Sequence, residues 1–264
     1  MNGREIYPDE ELRRRIMDFI MAAGQTLLEN GAEVFRVEQT MEIMARSFHL
    51  REFHVYVLTN GIFASAGTAE ISEVRNVPTR TTHLGRVAAV NELSRQAAAG
   101  RVSLAQARCR LDEIRHLPEL EDWKQILACG IGCACAGVMF GGGPLEAVAA
   151  SIAGVCVQAL LLWLARTGIN RIFSRLAGAA LVVSVVTLIG LVLPGLNQNP
   201  PTIGALMPLT PGVALTMSIR DFISGDYLSG TIRLIDALLT AGCIACGVGL
   251  ALMAWAFVLG GGAR

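Results

Sequence analysis

Residues 176–219 read LAGAALVVSVVTLIGLVLPGLNQNPPTIGALMPLTPGVALTMSI, 44 positions without one Asp, Glu, Lys or Arg. A helix that crosses the roughly 30 Å hydrocarbon layer of a bilayer needs about 20 mainly apolar residues. The stretch is too long for one crossing and long enough for two. Its punctuation lies at Pro194-Gly195-Leu196-Asn197-Gln198-Asn199-Pro200-Pro201, a polar turn. A helix of a soluble protein needs a polar face, and neither half has one. The stretch is therefore expected to form a pair of membrane spans.

Working outward, residues 125–145, 147–165 and 237–263 are also free of those four charges, apart from the His-free apolar character they share. Five spans are expected, at about 125–141, 145–165, 175–194, 203–219 and 233–259. Residues 123–264 then form an α-helical integral membrane domain, preceded by a small cytoplasmic α+β domain at residues 1–122. Composition agrees. Of 264 residues 53% are hydrophobic and 17% charged, which excludes a disordered chain and argues against an ordinary soluble enzyme. The 22 Lys+Arg balance 22 Asp+Glu, but unevenly: residues 1–124 hold 16 and 18 of them, leaving 6 and 4 for the rest. No basic patch marks a nucleic-acid partner.

Basic residues set the orientation. With the front domain inside, Lys124, Arg166, Arg171, Arg175, Arg220 and Arg233 all fall at cytoplasmic ends, and Arg264 alone falls outside. The loops Gly141–Pro144 and Pro194–Thr202 carry no Lys or Arg. Trp123, Trp163 and Trp255 lie near span ends. A multi-pass protein of the cell (inner) membrane is expected, N-terminus cytoplasmic and C-terminus outside. No cleavable leader is expected, because the apolar stretch Ile16–Ala23 is short and interrupted by Asp18.

The front domain reads as ααβββαα. Leu12, Ile16, Phe19, Ile20, Ala23, Leu27 and Leu28 fall at helical spacing, closed by Asn30-Gly31. Val34, Val37, Met41, Met44, Ala45 and Phe48 repeat the pattern. Residues 53–58 are rich in β-branched and aromatic side chains, and Asn60-Gly61 before Ile62–Ala66 signals a hairpin. Ala69–Val77 is a candidate third strand. Helices follow at His83–Ala99 and after Ser103, where Gln106 is placed for a capping box.

Catalytic and metal chemistry is thinly represented. His49, His54, His83 and His116 lack metal-ligand spacing, and no nucleophile elbow, P-loop or dinucleotide fingerprint occurs. Ser65 and Ser72 have no evident base, and Arg75 and Arg80 read as solvated or, less simply, as an anion site. Cys243-x-x-Cys246 matches a metal or redox pattern, but inside a span cysteine is also a small packing residue. Cys129, Cys133, Gly137 and Gly141 form one small-residue face, and Ala241, Ala245 and Gly249 another. No cofactor and no metal are expected.

The fourth span holds the informative residues. Pro208, Pro211 and Gly212 interrupt it beside Thr210, Thr216 and Ser218. Each proline removes an amide donor and clashes with the preceding turn. Carbonyls freed in this way cannot face lipid, so the break is expected against protein or a water-filled cavity. It is either a simple kink or the broken helix by which transporters present half-helix ends to small polar substrates. Arg220, Asp221, Asp226, Arg233 and Asp236 follow. Asp236 is either an intramembrane functional acid or the interfacial partner of Arg233 at i−3.

The stretch from Thr210-Pro211-Gly212 through Arg220-Asp221, Gly225-Asp226 and Gly230 to Arg233 resembles the signature of the bacterial threonine/serine exporter family. Gly31-Ala32-Glu33-Val34-Phe35-Arg36-Val37-Glu38, Thr59-Asn60-Gly61-Ile62-Phe63 and Asn91-Glu92-Leu93 extend the resemblance over nearly the whole chain. It implies a secondary exporter of small polar metabolites, either threonine/serine-type amino acids or dicarboxylates such as succinate, driven by the proton gradient. Full-length members carry a second membrane module after the first. The chain resembles the larger subunit of the split form, with a small membrane-protein subunit as partner; self-association is a further expectation. On this reading Thr210, Pro211, Gly212, Thr216 and Asp236 bind substrate, and Arg220, Asp221, Asp226 and Arg233 form a gate or coupling group. A half-helix starting near Gly212 would aim its amides at a substrate carboxylate. The alternatives are a membrane-anchored hydrolase and a scaffold without transport.

Overall fold

The computed structural model describes residues 10–67, 71–77 and 81–260. The chain divides into two compact units. One runs to Glu119 and takes in Gly225–Ser229; the other holds Leu120–Ser224 and the chain from Gly230.

The first unit contains α1 (Glu10–Glu29), α2 (Val34–Ser47), β1 (His54–Leu58), β2 (Gly61–Ala66), β3 (Ile71–Asn76), α3 (Leu84–Ala98) and α4 (Leu104–Arg115). Glu10 and Glu11 open α1, where carboxylates suit the positive helix end. Beyond its second turn α1 is buried on most sides, not on one stripe: Met17, Met21 and Ala22 are covered as well as Ile16, Phe19 and Ile20. The expected member Leu12 is exposed. The helix closes in a Schellman arrangement, with Ala32 N–H donating to Leu27 O and Gly31 N–H to Leu28 O. Gly31 has φ +90°, which a side chain would strain.

The strands form an antiparallel meander in the order β1-β2-β3. Leu58 pairs with Gly61, so the two turn residues are Thr59 and Asn60 and Gly61 already belongs to β2. Ile62, Val57 and Ala64 point into the core, whereas Tyr56, Phe63 and Val74 form an exposed row. The third strand begins at Ile71; Ala69 and Arg80 lie outside the described residues. The capping box of α4 is present, Ser103 Oγ accepting from Gln106 N–H and Gln106 Oε1 from Ser103 N–H.

The second unit contains α5 (Asp122–Met139), α6 (Pro144–Arg166), α7 (Arg171–Val192), α8 (Asn199–Leu206), a 3-10 turn (Met207–Leu209), α9 (Gly212–Ile223) and, from Gly230 onward, α10 (Tyr227–Leu259). Among the described residues, α6, α7 and α10 are long and apolar enough to cross a membrane. The pair Asn199–Leu209 and Gly212–Ile223, bent by 57°, makes a fourth if counted as one span. The helix at the expected first span, α5, is less apolar because it begins with Asp122 and Lys124. Span four therefore begins earlier than expected, at Asn199 with Pro200 and Pro201 in the first turn, and is two helices. The last helix begins at Tyr227, well before the expected position 233.

Small residues bring these helices together. A Cβ on Gly204 of α8 would stand 2.6 Å from Gly137 N and 2.8 Å from Cys133 O of α5. The Cys133/Gly137 face is thus a packing face, as the sequence indicates. The Ala241/Ala245/Gly249 face packs on nothing within this chain: Ala241 and Ala245 are exposed, and a Cβ on Gly249 would touch nothing among the described residues. The buried side of α10 carries Ala237, Ile244, Gly247 and Ala251 instead. Ala153, Val157, Ala179, Val182, Val186, Ala205, Leu209 and Ile244 make the apolar core of this unit.

Candidate functional site

The helix break is the chemical centre of the second unit. Pro208 and Pro211 cannot donate, and Thr210 takes extended backbone at ψ 139°. Thr210 N–H closes the 3-10 turn onto Met207 O at 3.1 Å, and its hydroxyl donates to the same oxygen at 2.6 Å. Pro208 O and Leu209 O find their donor on α7: Arg175 Nη1 lies 3.1 Å from the first and 2.9 Å from the second. The freed carbonyls of the break are thus satisfied by protein, through a cation.

Beyond the break α9 starts at Gly212. No side chain caps its first amides, and a Cβ at Gly212 would meet nothing within 4 Å. Thr216 donates its hydroxyl to Gly212 O at 2.6 Å, so its free lone pairs are all it offers a ligand. Ser218 differs from the expectation of a cavity-lining residue. It is fully buried and donates to Gly230 O at 2.7 Å, tying α9 to α10.

The expected gate residues separate into distinct roles. Asp221 Oδ2 and Arg233 Nε are 3.0 Å apart, with side chains only 10% and 14% exposed. Asp226 accepts from Ser229 N–H at 3.2 Å and caps α10. Arg220 is exposed near the end of α9. Arg233 is thus engaged by Asp221 rather than by Asp236 one turn on. Asp236 is exposed on α10. The segment from Asp236 to Leu259 is by itself about 34 Å long, more than the hydrocarbon layer requires.

Arg175 is the functional candidate that sequence reasoning missed. It read there as one of six basic residues setting orientation, and only the folded chain places it against the break. The cysteine pair Cys243 and Cys246 lines an apolar groove with Leu176, Leu238 and Leu239. At the other end of the unit, Glu146 Oε2 accepts from Gly143 N–H at 2.9 Å and Oε1 from Asn197 N–H at 3.3 Å, so this acid caps α6 and joins two loops.

In the first unit, Arg75 is neither solvated nor open to an anion: it pairs with Asp18 at 2.6 Å and Glu73 at 2.7 Å. Ser65 and Ser72 face each other across β2 and β3. His83 is a helix cap, its Nδ1 accepting from Arg86 N–H at 3.1 Å. Glu38 is the unusual acid. Its carboxylate accepts from Val57 N–H at 2.9 Å, and burial pushes its pKa above the ordinary value despite that bond. A raised folded-state pKa stabilises the fold at low pH, and that contribution is lost as pH rises through it. Glu38→Gln keeps an acceptor for Val57 and removes the charge. The variant is expected to melt above the parent at pH 8, with a flatter dependence between pH 5 and pH 8. Parallel melting curves for the two proteins would contradict this.

Comparison with known proteins bears on the whole chain. The family model described as "Putative threonine/serine exporter" matches residues 18–255. A protein of Mycobacterium tuberculosis named "Probable threonine/serine exporter" is 26% identical over 242 residues, covering 89% of this chain and 46% of that protein. A Corynebacterium glutamicum protein named "Threonine/serine exporter" is 26% identical over 249 residues, covering 89% and 50%. The chain spans about half the length of the curated relatives it matches. No solved structure matches.

Proposed function

This chain belongs to the threonine/serine exporter family, and from that premise we propose that it is one membrane module of a secondary exporter for small polar metabolites. The observation that carries the reading is the broken span, whose carbonyls are held by a basic side chain while the next half-helix starts uncapped. That arrangement suits a small anionic group at a helix start. Threonine/serine-type amino acids are the first substrate class, since both relatives are named for them; a dicarboxylate such as succinate is the second.

The module has five spans, α5 included. Support for α5 comes from its packing: Gly137 and Cys133 lie against α8, and Asp122 pairs with Arg166 at the far end of α6. The basic ends face the cytoplasm, so the N-terminus is inside and the C-terminus outside the cell's inner membrane. A separate small membrane subunit is the proposed partner, with self-association of the assembly. Export is proton-coupled. The Asp221–Arg233 pair, with Arg220 and Asp226 nearby in sequence, forms the gate, and Thr210, Pro211, Gly212, Thr216 and Asp236 border the substrate.

A direct test uses the protein's own host. Deleting the gene is expected to raise intracellular threonine after a threonine-dipeptide load, and restoring the full chain is expected to lower it. Unchanged threonine and serine, with succinate retained instead, would move the substrate to the dicarboxylate class. Unchanged levels of all three would overturn the exporter reading.

A further inference from the structure

Resting on the exporter reading above, we propose that the open face of α10 is the docking surface for the second membrane module, and that the element lying on it is an apolar membrane-spanning helix of that module.

This helix has little of its own chain around it. Of the most apolar 18 residues of α10, 17% are buried, against 33% in α6 and in α7. Its covered side is accounted for: a Cβ on Gly247 would stand 2.4 Å from Leu176 O, so that glycine lets the backbone of α7 come close. The other side is different. Ile235, Leu239, Gly242 and Cys246 line, with Leu176 of α7, an apolar groove of about 420 Å³. A Cβ on Gly242 or on Gly249 would meet nothing within 4 Å among the described residues. Glycine weakens a helix relative to alanine, and no contact among the described residues offsets that at these two positions.

The spacing suits a helix as occupant. Ile235, Leu239, Gly242, Cys246, Gly249 and Met253 alternate steps of four and three residues, the repeat that keeps one seam of a helix facing a partner helix. By helical geometry this seam lies on the side opposite Ala237, Ile244 and Ala251, which are buried. Bulky side chains stand at its two ends and small ones in the middle, where two backbones can approach closely, as helices do in membranes. A flexible acyl chain gains nothing from a glycine or from such a repeat. The seam carries no charge, so the face it meets is apolar as well. The relatives hold about twice this length in one chain, so the first module must offer the second a surface. The face of α10 that its own chain leaves open is that surface. Cys243-x-x-Cys246 is then a pair of small side chains beside a helix crossing, which accounts for the pattern without metal or redox chemistry.

The test uses the full chain in membranes of its own host, with a photoreactive benzophenone residue in place of Leu239, of Cys246 or, as a control on another exposed helix face, of Val192. Irradiation is expected to join the Leu239 and Cys246 variants to one and the same second protein, through a peptide apolar and long enough to span the bilayer, and to leave the Val192 variant unattached to it. An adduct alone does not suffice; it must depend on the two glycines. Gly242→Leu/Gly249→Leu fills the seam without touching this chain. It is expected to lower the Leu239 adduct by about tenfold or more, while the chain melts in mild detergent at the parent's temperature. Adducts with lipid only, adducts with a second copy of this chain, equal yield at Val192, or an adduct that survives both glycine substitutions would each overturn the assignment. So would a double variant that melts below the parent, since the face would then be packed within the chain. The two failures read differently. Lipid-only adducts beside the expected threonine phenotype of the gene deletion overturn the docking surface alone, and the expected adducts without any deletion phenotype overturn the exporter reading alone.

Discussion

Arg233→Met is expected to destabilise the membrane unit by up to about 3–5 kcal/mol, the cost of removing one partner of a buried ion pair. Arg233 Nε stands 3.0 Å from Asp221 Oδ2, and both side chains are nearly enclosed. The hairpin that holds them is tight: Ser218 donates to Gly230 O at 2.7 Å, and a Cβ on Gly230 would stand 2.8 Å from the Phe222 ring. The double variant Asp221→Asn/Arg233→Met removes both charges and is expected to recover most of the loss, because an apolar or neutral replacement of a whole buried pair is often close to neutral. Thermal unfolding in mild detergent reads both. A single variant that unfolds at the parent's temperature would show that the pair is solvated in the working protein. If the pair also gates, the double variant is expected to be stable and yet to export poorly.

That separation of stability from transport bears on how the site is encoded. The three long apolar helices and the bent fourth were legible because absence of charge over 20 residues has one common physical meaning. The capping box at Ser103 and the helix end at Gly31 were legible because each is a local event, settled within a few residues. The start of α10 was not. Arg233 and Asp236 look like the edge of a span, yet the helix continues back to Tyr227, because a polar turn of helix outside the membrane needs no apolar residues. The face of α10 that packs within this chain was not legible for a related reason. Periodicity identifies faces but not which face meets a neighbour, and the face of Gly247 and Ile244 is buried while that of Ala241 and Ala245 is not. At the candidate site the break itself was visible in Pro208 and Pro211. Its stabilisation by Arg175 was invisible, since 33 residues separate the donor from the Pro208 carbonyl.

Asp236→Asn carries the other large expected effect. Asp236 stands exposed on α10, and on the proposed reading it meets a substrate ammonium or carries the coupling proton. Asparagine keeps the size and the carbonyl acceptor but neither the charge nor the exchangeable proton. Because the side chain is exposed and not part of the packed core, the variant is expected to insert and assemble like the parent. Its transport is expected to fall by about tenfold or more, equivalent to at least about 1.4 kcal/mol, and to lose its response to an imposed pH gradient. The most direct measurement is threonine uptake into everted vesicles of the parent and of Asp236→Asn, at matched protein amounts, with and without a pH gradient across pH 6–8. Gradient-stimulated uptake in the parent and none in the variant is the expected result. Uptake by Asp236→Asn at the parent's rate throughout that range would contradict the claim that Asp236 belongs to the transport site.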